Sequence, residues 1–320
     1  LQVGKAAFRK AVLKKLKNNN YDMISAQDAI SGSILNKIAP DCNNISLTMH
    51  TYFGLENGLD NSALCEGNKY YDRMKAEELE ALQCAHAVIA VDERIEKHVV
   101  ETVDAVGVAD RCKVFCVRNF INTNAFEHCP ARSENDTLNV ICVRRLVEKN
   151  GVIYAVKAME HCSDKVRLHI VGDGPEMPKI QEYVKNGGLE NRVVLHGAMK
   201  NDQVLSLYKT CNAAVVPSIT VNGLQEATSI SALEAMACSM PIVVSSIGGL
   251  RLLVEDGKTG FWANERDSQE IGSKLQWIFD HPGEATQIGA NARQFVEKHH
   301  SHLSAAKSYL NIFSGNNTGK

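Results

Sequence analysis

Short apolar runs alternate with longer amphipathic stretches along most of this chain. Runs of four to eight apolar residues ended by turn-forming residues predict buried strands, and apolar positions three and four apart predict helices between them. Residues 21–31 (YDMISAQDAIS) predict a strand then a loop, with Asp28 and Ser31 at the strand's end. Residues 44–58 (NISLTMHTYFGLENG) predict a second strand, with His50 at its end. A helix is predicted over Lys75–Ala85. Strand and helix follow in AHAVIAVDERIEKHV, where Asp92 caps the helix. Residues 113–126 (KVFCVRNFINTNAF) predict a strand then an Asn-bearing turn. From Leu138 onward, strand and helix alternate with short connections. That order predicts an α/β fold with a right-handed parallel sheet.

The stretch from Ser218 to Gly249 organises this second half. NAAVVPS reads as a buried strand opening into a loop. Thr228, Ser229 and Ser231 are natural caps, and Ile230, Leu233, Glu234, Ala237 and Cys238 recur at helical spacing. A helix is therefore predicted from near Ser229 to Met240, stopped by Pro241. PIVVSS is the next strand, and Ile247–Leu250 a flexible turn into a further helix. The amides and dipole at a helix start make an anion site at the carboxyl ends of parallel strands. Glu226 and Glu234 bracket that start. Carboxylates repel phosphate, so they suit the sugar hydroxyls on either side of a diphosphate, as in a nucleotide-sugar.

E-x7-E followed by AMACSMPIVVSSIGG resembles the donor-site signature of family-4 retaining glycosyltransferases. The resemblance implies the GT-B fold, with two Rossmann-like domains whose parallel sheets face across a cleft. It implies an acceptor-side domain over residues 1–130, a nucleotide-sugar domain over 131–300, and a segment 301–320 crossing back before a frayed tail at 315–320. It places Glu226 near the transferred sugar and Glu234 on the ribose hydroxyls. Thr228, Ser229, Ile230 and Ser231 would hold the sugar and diphosphate by their amides, and the backbone near Met199 would meet the base. The usual Gly-aromatic-Gly after the first acid is Ala227-Thr228-Ser229 here. His50 resembles the family histidine beside the donor sugar. Arg145 and Lys149 match the family's basic pair, which neutralises the departing diphosphate; many relatives place the lysine immediately before the glycine, where this chain has Asn150. Gly172 and Gly174, in a GDGP turn, read as structural.

The implied reaction moves a sugar from a nucleotide diphosphate-sugar, UDP- or GDP-linked, to an acceptor hydroxyl with retention. It needs no cofactor and no metal, and Glu226 is not assigned as a nucleophile. The acceptor class is a sugar, glycolipid or lipid-linked species, as in surface polysaccharide assembly. A Rossmann domain begins with a strand and a glycine-bearing turn. This chain instead enters directly into GKAAFRKAVLKKLKNNN, so the resemblance implies an incomplete N-terminal domain.

Composition changes the picture little. A hydrophobic fraction of 44% and a formal charge of −2 fit a soluble globular protein and argue against general nucleic-acid binding. No apolar run has the length to cross a bilayer. Ten cysteines form no C-x-x-C pair, and Cys112, Cys116, His128 and Cys129 fit no common zinc spacing. Reduced thiols and a cytoplasmic location are the expectation. The opening helix carries Lys5, Arg9, Lys10, Lys14, Lys15 and Lys17 with a narrow stripe of Phe8, Val12 and Leu16. It reads as a sheet-covering helix with a solvated basic face; peripheral contact with an anionic membrane is the second reading. Two other functions stay open: nucleotide-sugar binding without turnover, and an epimerase or phosphorylase on the same scaffold.

Overall fold

The computed structural model describes residues 2–39, 44–51, 69–129 and 136–314. Residues 52–58 of the second expected strand-and-loop, residues 130–135 of the polar stretch 127–137 and the tail 315–320 lie outside the described residues. The chain divides into two compact units, one of residues 1–118 with 306–320 and one of residues 119–305.

In the first unit, four parallel strands form a sheet in the order β1-β2-β3-β4: β1 (Ile24–Ala26), β2 (Ile45–Met49), β3 (Ala87–Ala90) and β4 (Lys113–Cys116). The opening helix α1 (Gln2–Asn18) has no buried residue between Lys5 and Lys17. Val12, Leu13 and Leu16 are half-buried on it, Phe8 is 44% exposed, and the helix borders a groove shared with Ile24 and Ser25 of β1. The first expected strand keeps only three residues. Asp28 does not end it in a loop but caps α2 (Ala29–Ile38), accepting from the Ser31 amide at 2.8 Å. Helix α3 (Lys69–Cys84) begins six residues before the expected Lys75. Helix α4 (Glu93–Ala105) starts where its cap predicts, with Asp92 Oδ1 accepting from the Arg94 and Ile95 amides at 2.9 and 2.8 Å.

The second unit holds a six-stranded parallel sheet in the order β10-β9-β8-β5-β6-β7. Its strands are β5 (Leu138–Val143), β6 (Val166–Val171), β7 (Val193–Gly197), β8 (Ala213–Val216), β9 (Ile242–Ser245) and β10 (Phe261–Ala263). A tight turn at residues 255–260, with the Gly257 amide donating to the Gly260 carbonyl at 2.8 Å, leads into β10, which pairs parallel with Val243–Ser245. Side chains alternate between two cores. Val140, Cys142, Leu168, Ile170, Val215 and Val243 pack towards α5 (Val152–Ala158), α6 (Met177–Asn186) and α10 (Ser268–Asp280). Ile141, Ala214, Val216, Ile242 and Val244 pack towards α7 (Asn201–Tyr208), α8 (Ile230–Ala237), α9 (Gly248–Leu253) and α11 (Pro282–His299). Both faces of β8 and β9 are buried, which is why these strands read as continuous hydrophobic runs, while β6 and β7 expose Arg167 and Val194. The last helix, α12, runs over His302–Phe313.

Helix α8 ends earlier than Met240. Ser239 adopts φ +62°, so the Ser239 and Met240 amides turn back onto the carbonyls of Met236 (3.0 Å) and Ala235 (3.1 Å). That Schellman closure satisfies the terminal carbonyls before Pro241 is reached.

Asp92 is 2% exposed and satisfies two helix-start amides. Asp92→Ala is expected to cost about 1–2 kcal/mol in urea unfolding followed by circular dichroism, and Asp92→Asn to restore most of it. A loss under about 0.3 kcal/mol in the alanine variant would contradict the capping role.

Candidate functional site

The strand order reverses between β5 and β8, so the connections leaving these neighbours diverge to opposite sides of the sheet. A crevice opens at the carboxyl ends of such a pair. Here the ladder holds only Val140 to Ala213 and Ile141 to Ala214, while β5 continues to Val143 and β8 to Val216. Beyond the ladder, the loop 144–151 and the loop 217–229 meet. The Ile219 amide donates to the Lys149 carbonyl at 2.9 Å. Gly151 has φ +60°, and a Cβ there would collide with the Pro217 carbonyl. Gly172 and Gly174 lie equally close to the Arg144 and Leu146 carbonyls.

Arg144 fills the space between the loops, its side chain 9% exposed. Nη2 donates to Glu226 Oε2 at 2.5 Å, to Asn150 Oδ1 at 2.5 Å and to Ser218 Oγ at 3.0 Å. Nη1 donates to Ser229 Oγ at 2.9 Å and reaches Glu226 Oε1 at 3.4 Å. The Ser218 hydroxyl also donates to Glu226 Oε2, at 3.2 Å. Nε is buried with no hydrogen-bond partner among the described residues. Burial alone would raise the Glu226 carboxyl. The Arg144 charge and hydrogen bonds, with Ser218 and the Lys149 charge, outweigh it and hold Glu226 below the usual carboxylate range. Glu226 is 17% exposed, and removing its partner would strand a buried charge at a cost of about 3–5 kcal/mol.

Helix α8 starts directly behind this pair. Its cap, Ser229, accepts from the Ala232 amide at 3.4 Å while also accepting from Arg144, and the Ser229 and Ser231 hydroxyls lie 3.1 Å apart. The cap is shared, so its hold on the helix amide is weak at that length. Thr228 and Ser231 are half-buried, and Ile230 is 43% exposed at the first helical position. Glu234 sits one turn further along. Burial raises its pKa, partly offset by a hydrogen bond from the Tyr208 hydroxyl at 3.2 Å.

The structure thus brings Glu226, Ser229, Ser231 and Lys149 to one crevice and sets Glu234 on the same short helix. Arg145 is exposed at the end of β5, and Met199 is half-buried in the loop after β7. His50 lies in the first unit, exposed beyond β2, with Nε2 3.4 Å from Gln27 Oε1. Arg144 is the residue that sequence reading missed in favour of its neighbour. The expected flexible turn at Ile247–Leu250 is corrected: Gly248 and Gly249 open α9. The Gly249 amide donates to the Glu226 carbonyl at 2.8 Å, with no room for a Cβ against the Ala227 carbonyl.

The chain matches the family described as glycosyl transferases group 1 over residues 126–295. That is more than half of its 320 residues, and the chain belongs to this family. It is 28% identical over 182 residues to an uncharacterized glycosyltransferase of Methanocaldococcus jannaschii, covering 56% of this chain and 45% of that protein. It is 26% identical over 250 residues to the alpha-maltose-1-phosphate synthase of Mycolicibacterium smegmatis, covering 73% and 64%. The chain spans about half the length of the curated relatives it matches. Among solved structures it resembles sucrose-phosphate synthase from Thermosynechococcus elongatus, with a TM-score of 0.77 and 20% identity over 96% of this chain and 77% of that one. It also resembles Anabaena HepE in complex with UDP and glucose, with a TM-score of 0.77 and 20% identity over 97% and 80%. The fold is therefore the GT-B arrangement of two parallel α/β sheets.

The close approach of Gly249 to Ala227 fixes where Glu226 sits. Gly249→Ala is expected to cost about 2–3 kcal/mol in urea unfolding, because backbone rather than a movable side chain blocks the methyl. Gly257→Ala, at φ +73° with open space around it, should cost only about 1 kcal/mol. Both tryptophans, Trp262 and Trp277, lie in this unit, so their fluorescence reads the transition. Equal losses in the two variants would show that the contact does not constrain the loop.

Proposed function

We propose that this chain carries the donor site of a retaining glycosyltransferase that moves a sugar from a nucleotide diphosphate-sugar to an acceptor hydroxyl. The observation that carries the reading is the start of α8 in the switch-point crevice, with Glu226 before it, Glu234 one turn inside it, and Arg145 and Lys149 on the adjoining loop. The likeness to HepE, which was solved with UDP and glucose, supports a nucleotide-sugar as the ligand class.

In this reading the diphosphate docks against the amides of Ile230 and Ser231, in the positive end of the helix dipole. Arg145 and Lys149 offset the charge that grows on it as the bond to the anomeric carbon breaks. The acceptor oxygen bonds to that carbon on the same face, and the acceptor proton passes to an oxygen of the departing diphosphate. Products are a glycoside and a nucleoside diphosphate. Glu234 accepts from the ribose hydroxyls. Glu226, pinned by an arginine, is a weak base and a weak nucleophile; its role is to position the sugar and to favour positive charge developing at the anomeric carbon. Cations at the diphosphate make a bound metal unnecessary in this scheme.

Contact with an anionic membrane is a separate part of the proposal. It is supported by the exposed basic helix α1, whose Phe8, Val12 and Leu16 border a groove of about 650 Å³ with Tyr21 and Met23. Sedimentation with phosphatidylglycerol vesicles, and not with phosphatidylcholine vesicles, is the expected result, and equal recovery from both would remove this part.

The transferase reading is tested by incubating the protein with UDP-, GDP- and ADP-sugars and following slow release of the sugar. Glu234→Ala should weaken nucleoside diphosphate binding about tenfold or more, in line with lost hydrogen bonds to a ligand. Glu226→Ala should leave that binding nearly intact and lower turnover instead. Turnover should persist in EDTA. Negligible effects from both variants would remove the site assignment, and loss of turnover in EDTA would remove the metal-free scheme.

A further inference from the structure

The donor-site reading leaves one buried charge without a role. Arg144 contacts four side chains drawn from three segments: Asn150 on its own loop, Ser218 and Glu226 on the loop after β8, and Ser229 at the cap of α8. A planar guanidinium with five N–H donors can bridge that many acceptors at once; an ammonium holds them as a point charge without the fork. Its Nε–H is left unpartnered in a buried position, a cost that a purely structural side chain of similar volume would avoid. Asn150 stands immediately before Gly151 and accepts from this arginine, while its amide group donates to the Arg145 carbonyl at 2.7 Å.

We propose that Arg144 is a positioning residue of the donor site: it fixes the carboxylate of Glu226 and the cap hydroxyl of Ser229 in one frame, so that sugar and diphosphate are held in register. The inference rests on the transferase reading for the identity of those two ligand groups. Its local content, that Arg144 governs Glu226, does not depend on that reading. Arg145, one residue on, is exposed and stays with the diphosphate; Arg144 points the other way and acts through Glu226. Asn150 supplies an acceptor to Arg144 where a lysine would compete with it.

The consequence for pH follows from the direction in which Glu226 is held. With Arg144 present, its carboxyl lies below the usual range, so the ionised form persists into acid. Removing the guanidinium leaves burial in charge and moves the carboxyl up, so the ionised form is lost at a higher pH as acid is added. The Lys149 charge also lowers Glu226, and the Ser218 hydroxyl donates to it.

Two substitutions separate charge from geometry. Arg144→Gln removes both; Arg144→Lys keeps the charge and loses the fork. With whichever donor the panel shows to be turned over, Arg144→Gln should lower kcat about 100-fold, the scale of a misplaced reactive group, while UDP affinity changes less than about threefold. Its acid limb of kcat against pH should move to higher pH. Arg144→Lys should lower kcat while leaving the acid limb near the wild-type position. In parallel, the Glu226 carboxyl is titrated by carbon-13 NMR in the full chain, its signal assigned with Glu226→Gln, and thermal unfolding confirms that each variant is folded.

A Glu226 titration that does not move in Arg144→Gln overturns the inference. So does an acid limb that stays in place while the titration moves, because Arg144 would then be structural only. If the wild-type protein turns over no donor, the transferase reading fails, and the titration still decides whether Arg144 governs Glu226.

Discussion

A charge taken out of water must be given partners, and in this chain the partners of one arginine define the site. The guanidinium of Arg144 is 9% exposed, and its neighbours come from the two loops that also meet through the Ile219 amide and the Lys149 carbonyl. Each sits between the carboxyl end of β5 or β8 and the helix that follows it. The apolar sheet fixes the strands, the strands deliver the loop ends, and the arginine fixes the loop ends relative to one another. Glu226 is ionised as a result, whereas Glu234, eight residues later and beside Tyr208 instead of a cation, is pushed the opposite way. Two carboxylates of one motif therefore present different chemistry, decided by which neighbour each was given.

The glycines around the crevice serve the same arrangement from the backbone side. Gly151 lies against the Pro217 carbonyl and Gly249 against the Ala227 carbonyl, so the loops before and after Glu226 are pressed between adjacent strand ends. The thiols stand apart from this. Burial pushes Cys142, Cys211 and Cys238 up to about 12, which leaves them as small apolar fillers at neutral pH.

Much of this was legible along the chain. The apolar runs at Leu138, Ala213 and Ile242 are strands because a parallel sheet covered on both faces needs no polar alternation, whereas the strand at Val166 alternates, with Arg167 exposed. Asp92 and Ser229 act as the caps their positions suggest. What was hidden depended on neighbours distant in sequence. Arg144 and Arg145 are adjacent and chemically alike; only the direction taken by the strand end decides which turns inward. Asp28 was read as the end of a strand because a cap and a turn use the same residue types, and the helix behind it, AISGSILNKI, carries two Ser and a Gly. Ser239 gave no sign of its left-handed backbone, which glycine usually occupies.

The pairing of β8 with β5 also bears on how the chain acquires its shape. Ala213 lies beside Val140 although β6 and β7 intervene in the chain and pair on the far side of β5. Closing a loop of that length costs entropy before any contact repays it, and parallel partners so far apart in sequence form slowly. One wall of the crevice follows β5 and the other follows β8. The two walls of the crevice thus come from strands far apart along the chain, so any change that weakens the pairing of β5 with β8 opens the crevice from beneath.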